Sequence, residues 1–142
     1  MAEVTYQQLL QATAEFFARH WVTETLGPYP AWQCWEQFLS GSVPNYQHPG
    51  CYTVFFGSGL RYVGLGASRG GGIYTEHGIS RRLMAHVIQG DRARGPTWSK
   101  LRERFAGATA IYTLGLPNVG YMAAALETYL IRSLAPSMNS RV

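Results

Sequence analysis

Two tyrosines stand beside glycines in two neighbouring apolar runs of the sequence. Gly50-Cys51-Tyr52 leads into a run that ends at Phe56, and Tyr62-Val63-Gly64 lies in the run from Leu60 to Leu65. A glycine-bearing link, Gly57-Ser58-Gly59, separates the runs, and this combination predicts an antiparallel hairpin. The hairpin would bring the two phenols to one side of a small sheet. Alone the pattern is weak evidence for a site, because tyrosine and glycine are common in hairpins.

An arginine and a histidine, Arg82 and His86, stand four residues apart in a stretch that predicts a helix over 79–89. Residues at this spacing lie one above the other on a helix, here at the edge of an apolar stripe formed by Ile79, Leu83 and Val87. Both side chains can therefore point into one cleft beside the sheet. In isolation, a surface arginine and a half-buried histidine explain the pattern better.

A carboxylate, Glu127, lies on the apolar face of the last predicted helix. Its neighbours one turn away in either direction, and two turns on, are all apolar: Ala123, Ala124, Leu130, Ile131 and Leu134. An ionised carboxylate in such a face is costly unless it is paired. Glu127 therefore needs a cation, a hydrogen-bond partner or a proton, and the residues leave open whether it meets a structural arginine or a metal ion with oxygen ligands.

The elements that must position these side chains predict a mixed α/β fold of the α+β kind. We expect a small three-stranded sheet with an N-terminal hairpin, flanked by helices. The third strand would span 108–114, and hydrophobic periodicity and turn residues predict helices over 4–21, 31–39, 79–89, 97–105 and 119–134, the last stopped by Pro136. The glycines of 66–72 exclude a helix there, and Arg69 among them either meets a phosphate backbone or belongs to a plain loop.

Charge is distributed unevenly along the 142 residues. Residues 1–49 carry one arginine against four glutamates, a net −3, whereas residues 50–142 carry ten arginines and one lysine against four acids, a net +7. Arginine donates two hydrogen bonds at once to phosphate, so the basic part favours a polyanionic partner, although an arginine-rich composition alone would also produce it. The nucleic-acid-binding candidates are Arg69, Arg81, Arg92, Arg94, Lys100 and Arg104.

Other features of the sequence concern membrane contact, the cellular compartment and the role of the first 49 residues. No apolar run approaches the roughly 20 residues of a membrane helix, and the N-terminus lacks the pattern of a secretory signal. The two cysteines, Cys34 and Cys51, offer neither a metal-binding spacing nor a disulfide framework, so we expect a protein of the reducing cytoplasm without membrane contact. Three tryptophans in the first 49 residues predict packing on the core or on a second copy of the chain, which makes this arm the candidate surface of a homodimer.

Five short motifs occur in the order that is typical of the GIY-YIG nuclease family. They are Gly50-Cys51-Tyr52, Tyr62-Val63-Gly64, Arg82-Leu83 with His86 one turn on, Glu127-x-x-Leu130-Ile131, and Pro136 leading to Asn139. Residues 50–142 therefore resemble a GIY-YIG nuclease domain, and residues 1–49 would be an N-terminal helical, aromatic-rich extension. Cys51 and Val63 depart from the isoleucines of the family, and the loop between Gly64 and Arg82 is longer than in its compact members.

The resemblance implies a divalent-metal-dependent endonuclease that hydrolyses phosphodiester bonds in DNA. Glu127 would be the single protein ligand of one Mg²⁺ or Mn²⁺ ion per site, whose role is to stabilise the departing 3′ oxygen. Tyr52 would be the general base, with its pKa lowered by Arg82 and the metal and with a hydrogen bond from His86. Arg82 would also clamp the phosphate.

Four further residues complete the implied site. Tyr62 would orient the water or the phosphate, and Asn139 would support the site or touch the nucleic-acid backbone. Gly64 would permit close approach of the backbone, with Gly50 as the other structural glycine. A non-catalytic nucleic-acid-binding module of a larger repair or mobile-element complex is the alternative function. Restriction, repair, mobile-element and toxin roles all remain open for an active nuclease.

Overall fold

The sheet is built on the predicted hairpin, here described from a computed structural model that covers residues 3–67 and 78–139. Strand β2 (Gly50–Phe56) pairs antiparallel with β3 (Gly59–Gly66), and Gly57 takes a positive φ of 63° in the turn between them. Tyr52 lies opposite Gly64 and Val54 lies opposite Tyr62. Because alternate residues of a strand share a face, Tyr52, Tyr62 and Gly64 are on the same side of the sheet.

The sheet has four strands rather than the three predicted. Strand β6 (Ala110–Gly115) pairs antiparallel with β2 and confirms the predicted third strand, whereas β1 (Gln33–Cys34) is an addition on the far side of β6, giving the order β1-β6-β2-β3. The helix predicted over 31–39 is therefore wrong. The backbone of this segment bonds the sheet edge instead, with the Trp35 amide donating to the Ile111 carbonyl at 2.9 Å.

Four helices surround the sheet in the described part of the chain: α1 (Tyr6–His20), α2 (Thr23–Leu26), α3 (Gly78–His86) and α4 (Tyr121–Leu134). Helix α1 begins at a capping box in which the Thr5 hydroxyl accepts from the Gln8 amide and the Gln8 side chain accepts from the Thr5 amide. Helix α4 confirms the last predicted helix and ends at Ala135, which is left-handed, just before Pro136. The mixed α and β architecture is the predicted fold class.

A second, two-stranded sheet replaces one of the predicted helices. Strand β4 (Ile88–Gly90) pairs antiparallel with β5 (Ser99–Leu101), and a short 3-10 helix (Glu103–Phe105) follows. The helix predicted over 97–105 is wrong, and α3 stops at His86 instead of residue 89. The reason for both is that the backbone groups of β4 and β5 form hydrogen bonds with each other. The buried side chains of Ile88 and Phe105 fix this arrangement on the core.

The sheet separates two hydrophobic clusters. The first holds residues of α1 and α4, among them Leu9, Phe16, Phe17, Leu126 and Leu130, together with Cys51 and Phe55. The second lies under α3 and the short sheet and contains Tyr52, Val54, Ile79, Leu83, Phe105 and Ile111. The pleat of β2 explains the division, since Cys51 and Tyr52 point to opposite faces.

The first 49 residues are built into this core. Val4 forms an isolated bridge with Leu60, α1 packs against α4, and the Trp32 indole donates to the buried Thr13 hydroxyl at 2.9 Å. Trp32 and Trp35 are buried, which confirms the prediction of core packing for these two side chains. Within the described residues, no helix has the length and apolar character needed to cross a membrane.

Candidate active site

Tyr52 is the most enclosed polar side chain of the candidate site. Its residue is completely buried, and its hydroxyl forms no hydrogen bond of ordinary geometry with any described residue, although the Tyr62 side chain lies close enough to act on it. A hydroxyl withdrawn from water without a partner costs free energy, so it calls for an explanation. Burial raises the pKa of the Tyr52 phenol well above its usual value, the nearby Tyr62 phenol adds to this, and Arg82 opposes it. The predicted lowering of this pKa is thus not found in the protein alone, because burial outweighs the arginine.

The glycine opposite Tyr52 makes room for its ring. A Cβ atom built on Gly64 would overlap the Tyr52 ring, with the hydroxyl oxygen among the atoms it would meet. The sequence predicts that Gly64 permits close approach of the backbone, and in the structure the group beside it is the Tyr52 side chain. Gly50 has a similar structural part, since a Cβ there would overlap the Leu114 carbonyl of β6 and approach the Ile79 side chain of α3 to 2.9 Å.

The second phenol, Tyr62, lies next to the first and is only partly buried. The two ring centroids are 6.1 Å apart, and Phe105 meets Tyr62 edge-on at 5.3 Å. The Arg104 guanidinium lies 5.2 Å from the centre of the Tyr62 ring. The site therefore pairs a closed phenol with one that solvent and a basic group can reach.

Glu127 is half-buried on α4, and its carboxylate forms no salt bridge or hydrogen bond with any described residue. Burial raises the pKa of Glu127, and the positive charge of Arg82 acts in the opposite direction. Glu127 also raises the pKa of Tyr52 and of the buried Cys51 thiol, although burial is the larger cause for both groups, so the carboxylate lies close to β2. Of the alternatives that the sequence left open, the closed arginine pair is not formed among the described residues.

Arg82 is the basic group that acts on both acids. It lies exposed on the first turns of α3 and lowers the pKa of Tyr52 and of Glu127. Together with Arg81 it lines a surface cavity of about 300 Å³, whose other lining residues are Ala67, Gly78 and Ala85. The predicted convergence of Tyr52, Tyr62, Arg82 and Glu127 is therefore consistent with the mutual influence of their charges.

His86 occupies a different position from the predicted one. It is the exposed last residue of α3, and partial burial lowers its pKa, helped by three arginines, Arg82, Arg102 and Arg104. The predicted hydrogen bond to the Tyr52 phenol is not formed, because that hydroxyl has no partner in the described residues. His86 belongs instead to a basic cluster at the end of α3.

Two residues, Asn139 and Arg102, hold the elements of the candidate site in place. Of these, only Asn139 is predicted from the sequence as a site residue. The Asn139 side chain accepts from the Val63 amide and donates to the Val63 carbonyl, both at 2.9 Å, so it supports the strand that carries Tyr62 and Gly64. Arg102 donates to the Ile88 carbonyl at 3.0 Å and to the Met84 carbonyl, which ties β5 to the end of α3. The only sign of Arg102 in the sequence is its place between Lys100 and Arg104 in a run of alternating basic residues.

The other nucleic-acid-binding candidates fall into three groups. Arg104 lies beside Tyr62 and donates to the Met138 carbonyl at 2.8 Å, and Arg81 lies beside Arg82. Arg92, Arg94 and Lys100 are exposed on the short sheet and its connecting loop. Arg69 lies outside the described residues.

The donor set at Glu127 restricts the metals that would fit. In the described part of the chain, no three His, Cys, Asp or Glu side chains form a metal-binding group. A half-buried carboxylate that forms no salt bridge with the described residues fits an ion that takes one or two carboxylates and keeps its waters, as Mg²⁺ does. It does not fit a structural zinc site, which takes four protein ligands.

Comparisons with protein-family models, with curated proteins and with solved structures find no match to this chain.

Proposed function

We propose that this chain is a divalent-metal-dependent endonuclease that hydrolyses phosphodiester bonds in DNA, with Glu127 as the protein ligand of one Mg²⁺ or Mn²⁺ ion. One observation carries the proposal. Among the described residues, the buried Tyr52 hydroxyl has no hydrogen-bond partner and the half-buried Glu127 carboxylate forms no salt bridge, and the same arginine, Arg82, influences both groups. A core gains nothing from these groups, whereas phosphodiester hydrolysis requires an acid-base group, a phosphate clamp and a cation ligand.

The residues would share the chemistry as follows. Arg82, exposed on α3, clamps a phosphate through charge-assisted hydrogen bonds. The ion at Glu127 would supply Lewis-acid stabilisation of the departing 3′ oxygen. Tyr52, once ionised to the phenolate, would take the proton of the attacking water, and Tyr62 would orient that water or the phosphate.

The environment of the phenols decides which one is the better base. Burial raises the pKa of Tyr52, and Arg82 opposes the rise, so further positive charge beside the phenol would favour its ionised form. Tyr62 is the alternative base because it is more exposed and stacks under Arg104. Phenylalanine substitutions at the two positions separate these roles, because replacing the orienting phenol should lower the cleavage rate less than replacing the base.

The nucleic-acid partner follows from charge. The part of the chain from residue 50 onward carries a net +7, and His86 lies among Arg82, Arg102 and Arg104 beside the candidate site. One site of this kind cuts one strand, so double-strand cleavage would require two copies of the chain. A homodimer through the first 49 residues would have to use exposed side chains such as Tyr29 and Val22, because Trp32 and Trp35 are buried.

Plasmid nicking with and without EDTA tests the proposal. We expect the parent to convert supercoiled plasmid to the nicked form with Mg²⁺ or Mn²⁺ and to stop when EDTA is added. Glu127→Gln and Arg82→Ala should each lower the rate by about 100-fold or more, in the range of lost catalytic groups. Glu24→Gln, at an exposed glutamate of α2, is the matched control and should cut like the parent.

The same assay distinguishes the alternative function, a non-catalytic nucleic-acid-binding module. Such a module would bind the plasmid without nicking it under any metal condition. Equal cleavage by purified Glu127→Gln and the parent would refute the assigned role of Glu127.

A further inference from the structure

The two-stranded sheet next to the candidate site is a well-ordered basic element. We call residues 88–101 the basic ribbon: strands β4 and β5 with the connecting loop 91–98. Backbone hydrogen bonds define the loop, from the Asp91 amide to the Trp98 carbonyl at 3.0 Å, from the Arg94 amide to the Asp91 carbonyl at 3.1 Å, and from the Trp98 amide to the Gly95 carbonyl at 3.2 Å. The loop is therefore held by hydrogen bonds of its own backbone.

The N-terminal arm holds the basic ribbon from the side. The Gly41 amide donates to the Thr97 carbonyl and the Ser99 amide donates to the Leu39 carbonyl, both at 2.8 Å, and Ser40 forms a bridge with Trp98. These bonds attach the loop end of the ribbon to the rest of the fold. The ribbon is also attached at its base, which is the start of β4 and the end of β5. A preorganised surface loses less conformational entropy when it binds.

The ribbon presents positive charge to solvent. Arg92, Arg94 and Lys100 are exposed, and the single acid of the ribbon, Asp91, is partly buried. The Arg94 guanidinium lies 3.6 Å from the centre of the Trp98 ring. Stacking on an indole holds the guanidinium plane still while its N–H groups remain available in that plane for a bidentate acceptor such as phosphate.

The base of the ribbon lies at the candidate site. Strand β4 begins two residues after His86, and β5 leads through Arg102 to Arg104, which stacks on Tyr62. Three paired residues at about 3.3 Å each place the loop on the order of 10 Å from this base. Duplex DNA rises about 3.4 Å per base pair, so a duplex that lies along the ribbon from the site would meet the loop about three base pairs away.

We propose that the basic ribbon binds the phosphate backbone of duplex DNA about three base pairs from the bond that is cut. The inference rests on the proposed function, since it places the ribbon relative to that site. Arg92 and Arg94 would each neutralise one phosphate, and Lys100 would contact the same strand nearer the site.

The salt dependence of binding tests the ribbon. Binding of a labelled 30-base-pair duplex to the full chain is measured by fluorescence anisotropy in EDTA, so that no cleavage occurs, between 50 and 200 mM KCl. Each phosphate contact contributes about 0.9 to the slope of log K against log salt, so Arg92→Ala/Arg94→Ala should reduce the slope by about 1.8. Over this fourfold range the parent should then lose about 12-fold more affinity than the double variant.

A control variant separates the ribbon from overall charge. Arg19→Ala/Arg132→Ala removes the same two charges from exposed positions on α1 and α4, and its slope should stay closer to that of the parent. Melting temperatures check folding, and Lys100→Ala provides a second ribbon variant with an expected slope change of about 0.9. Hydroxyl-radical footprints should lose protection about three base pairs from the cut only in the ribbon variants.

The outcomes distinguish this inference from the proposed function. A parent that binds DNA and a ribbon double variant with the same slope and affinity would overturn the ribbon inference alone. Equal slope changes in the ribbon and control variants would overturn it as well, because any two charges would then suffice. Tighter, ribbon-dependent binding of single-stranded DNA or RNA of the same length would overturn the duplex assignment. A parent that binds no nucleic acid would overturn the proposed function together with the inference.

Discussion

Replacing Tyr52 with phenylalanine removes a single oxygen atom that is completely buried and has no hydrogen-bond partner among the described residues. Such a group costs about 1–3 kcal/mol of desolvation that nothing offsets. We therefore expect Tyr52→Phe to raise the free energy of unfolding by about 1 kcal/mol while it abolishes cleavage. With about 2.1 cal/mol/K of unfolding entropy per residue, 1 kcal/mol corresponds to about 3 °C in melting temperature for a chain of this length.

The assay combines thermal melting and plasmid nicking on the same preparations of protein. Thr113→Val is the control, because the Thr113 hydroxyl is also buried but donates to the Pro44 carbonyl at 2.6 Å and accepts from the Asn45 side chain at 3.1 Å. That variant should lose about 1–3 kcal/mol, the opposite sign to Tyr52→Phe. If Tyr52→Phe instead melts several degrees below the parent, the hydroxyl has a partner that stabilises the fold, and its assignment to catalysis fails.

Three further substitutions test how the site is held. Gly64→Ala should destabilise the protein by about 1–3 kcal/mol, because its Cβ would displace the Tyr52 ring, whereas Gly90→Ala, with no atom within 4 Å of its Cβ, should change the melting temperature little. Burial raises the pKa of Glu127, so the stability that its protonated form contributes is present below the usual carboxyl pKa of about 4.3 and is lost as pH rises through the raised pKa. The melting temperature of Glu127→Gln should therefore rise relative to that of the parent as pH increases. A difference that stays constant with pH would contradict this. Asn139→Ala removes two hydrogen bonds to Val63 and should cost about 1–3 kcal/mol and speed hydrogen exchange at the Val63 amide; unchanged exchange there would contradict its supporting role.

The parts of the fold that sequence analysis predicted are those with a strong local pattern. Strands β2, β3 and β6 and helices α1 and α4 each carry enough apolar residues at one period to be recognised. Strands β1 and β5 have two and three residues, too few to show any period. Strand β1 is paired by β6, far along the chain, and β5 is paired by β4 across the loop 91–98, so pairing with another segment overrides the helical tendency of each sequence.

The site was predictable where it depends on register and not where it depends on burial. Hairpin pairing puts Tyr52 and Tyr62 on one face, and helix spacing puts Glu127 among apolar side chains. Which phenol is enclosed depends on the space above Gly64, and this space follows only from the packed structure. The surroundings of His86 escape sequence analysis for a related reason, since its neighbours Arg102 and Arg104 lie at the start of and within a 3-10 helix that no local pattern indicates.

The stability of the core gives no reason for the arrangement around Tyr52. Phenylalanine would fill the same space without a buried hydroxyl, and an apolar residue in place of Glu127 would continue the face made by Leu126, Leu130 and Ile131 without the cost of a half-buried charge. Both costs concern groups that Arg82 already influences, and both would fall if a cation came to lie beside the carboxylate, because positive charge favours the ionised forms of both acids. A cation and a phosphate bound here would therefore satisfy two groups that the described residues leave without partners, which is the physical reason for proposing a metal-dependent phosphodiester chemistry at this point of the sheet.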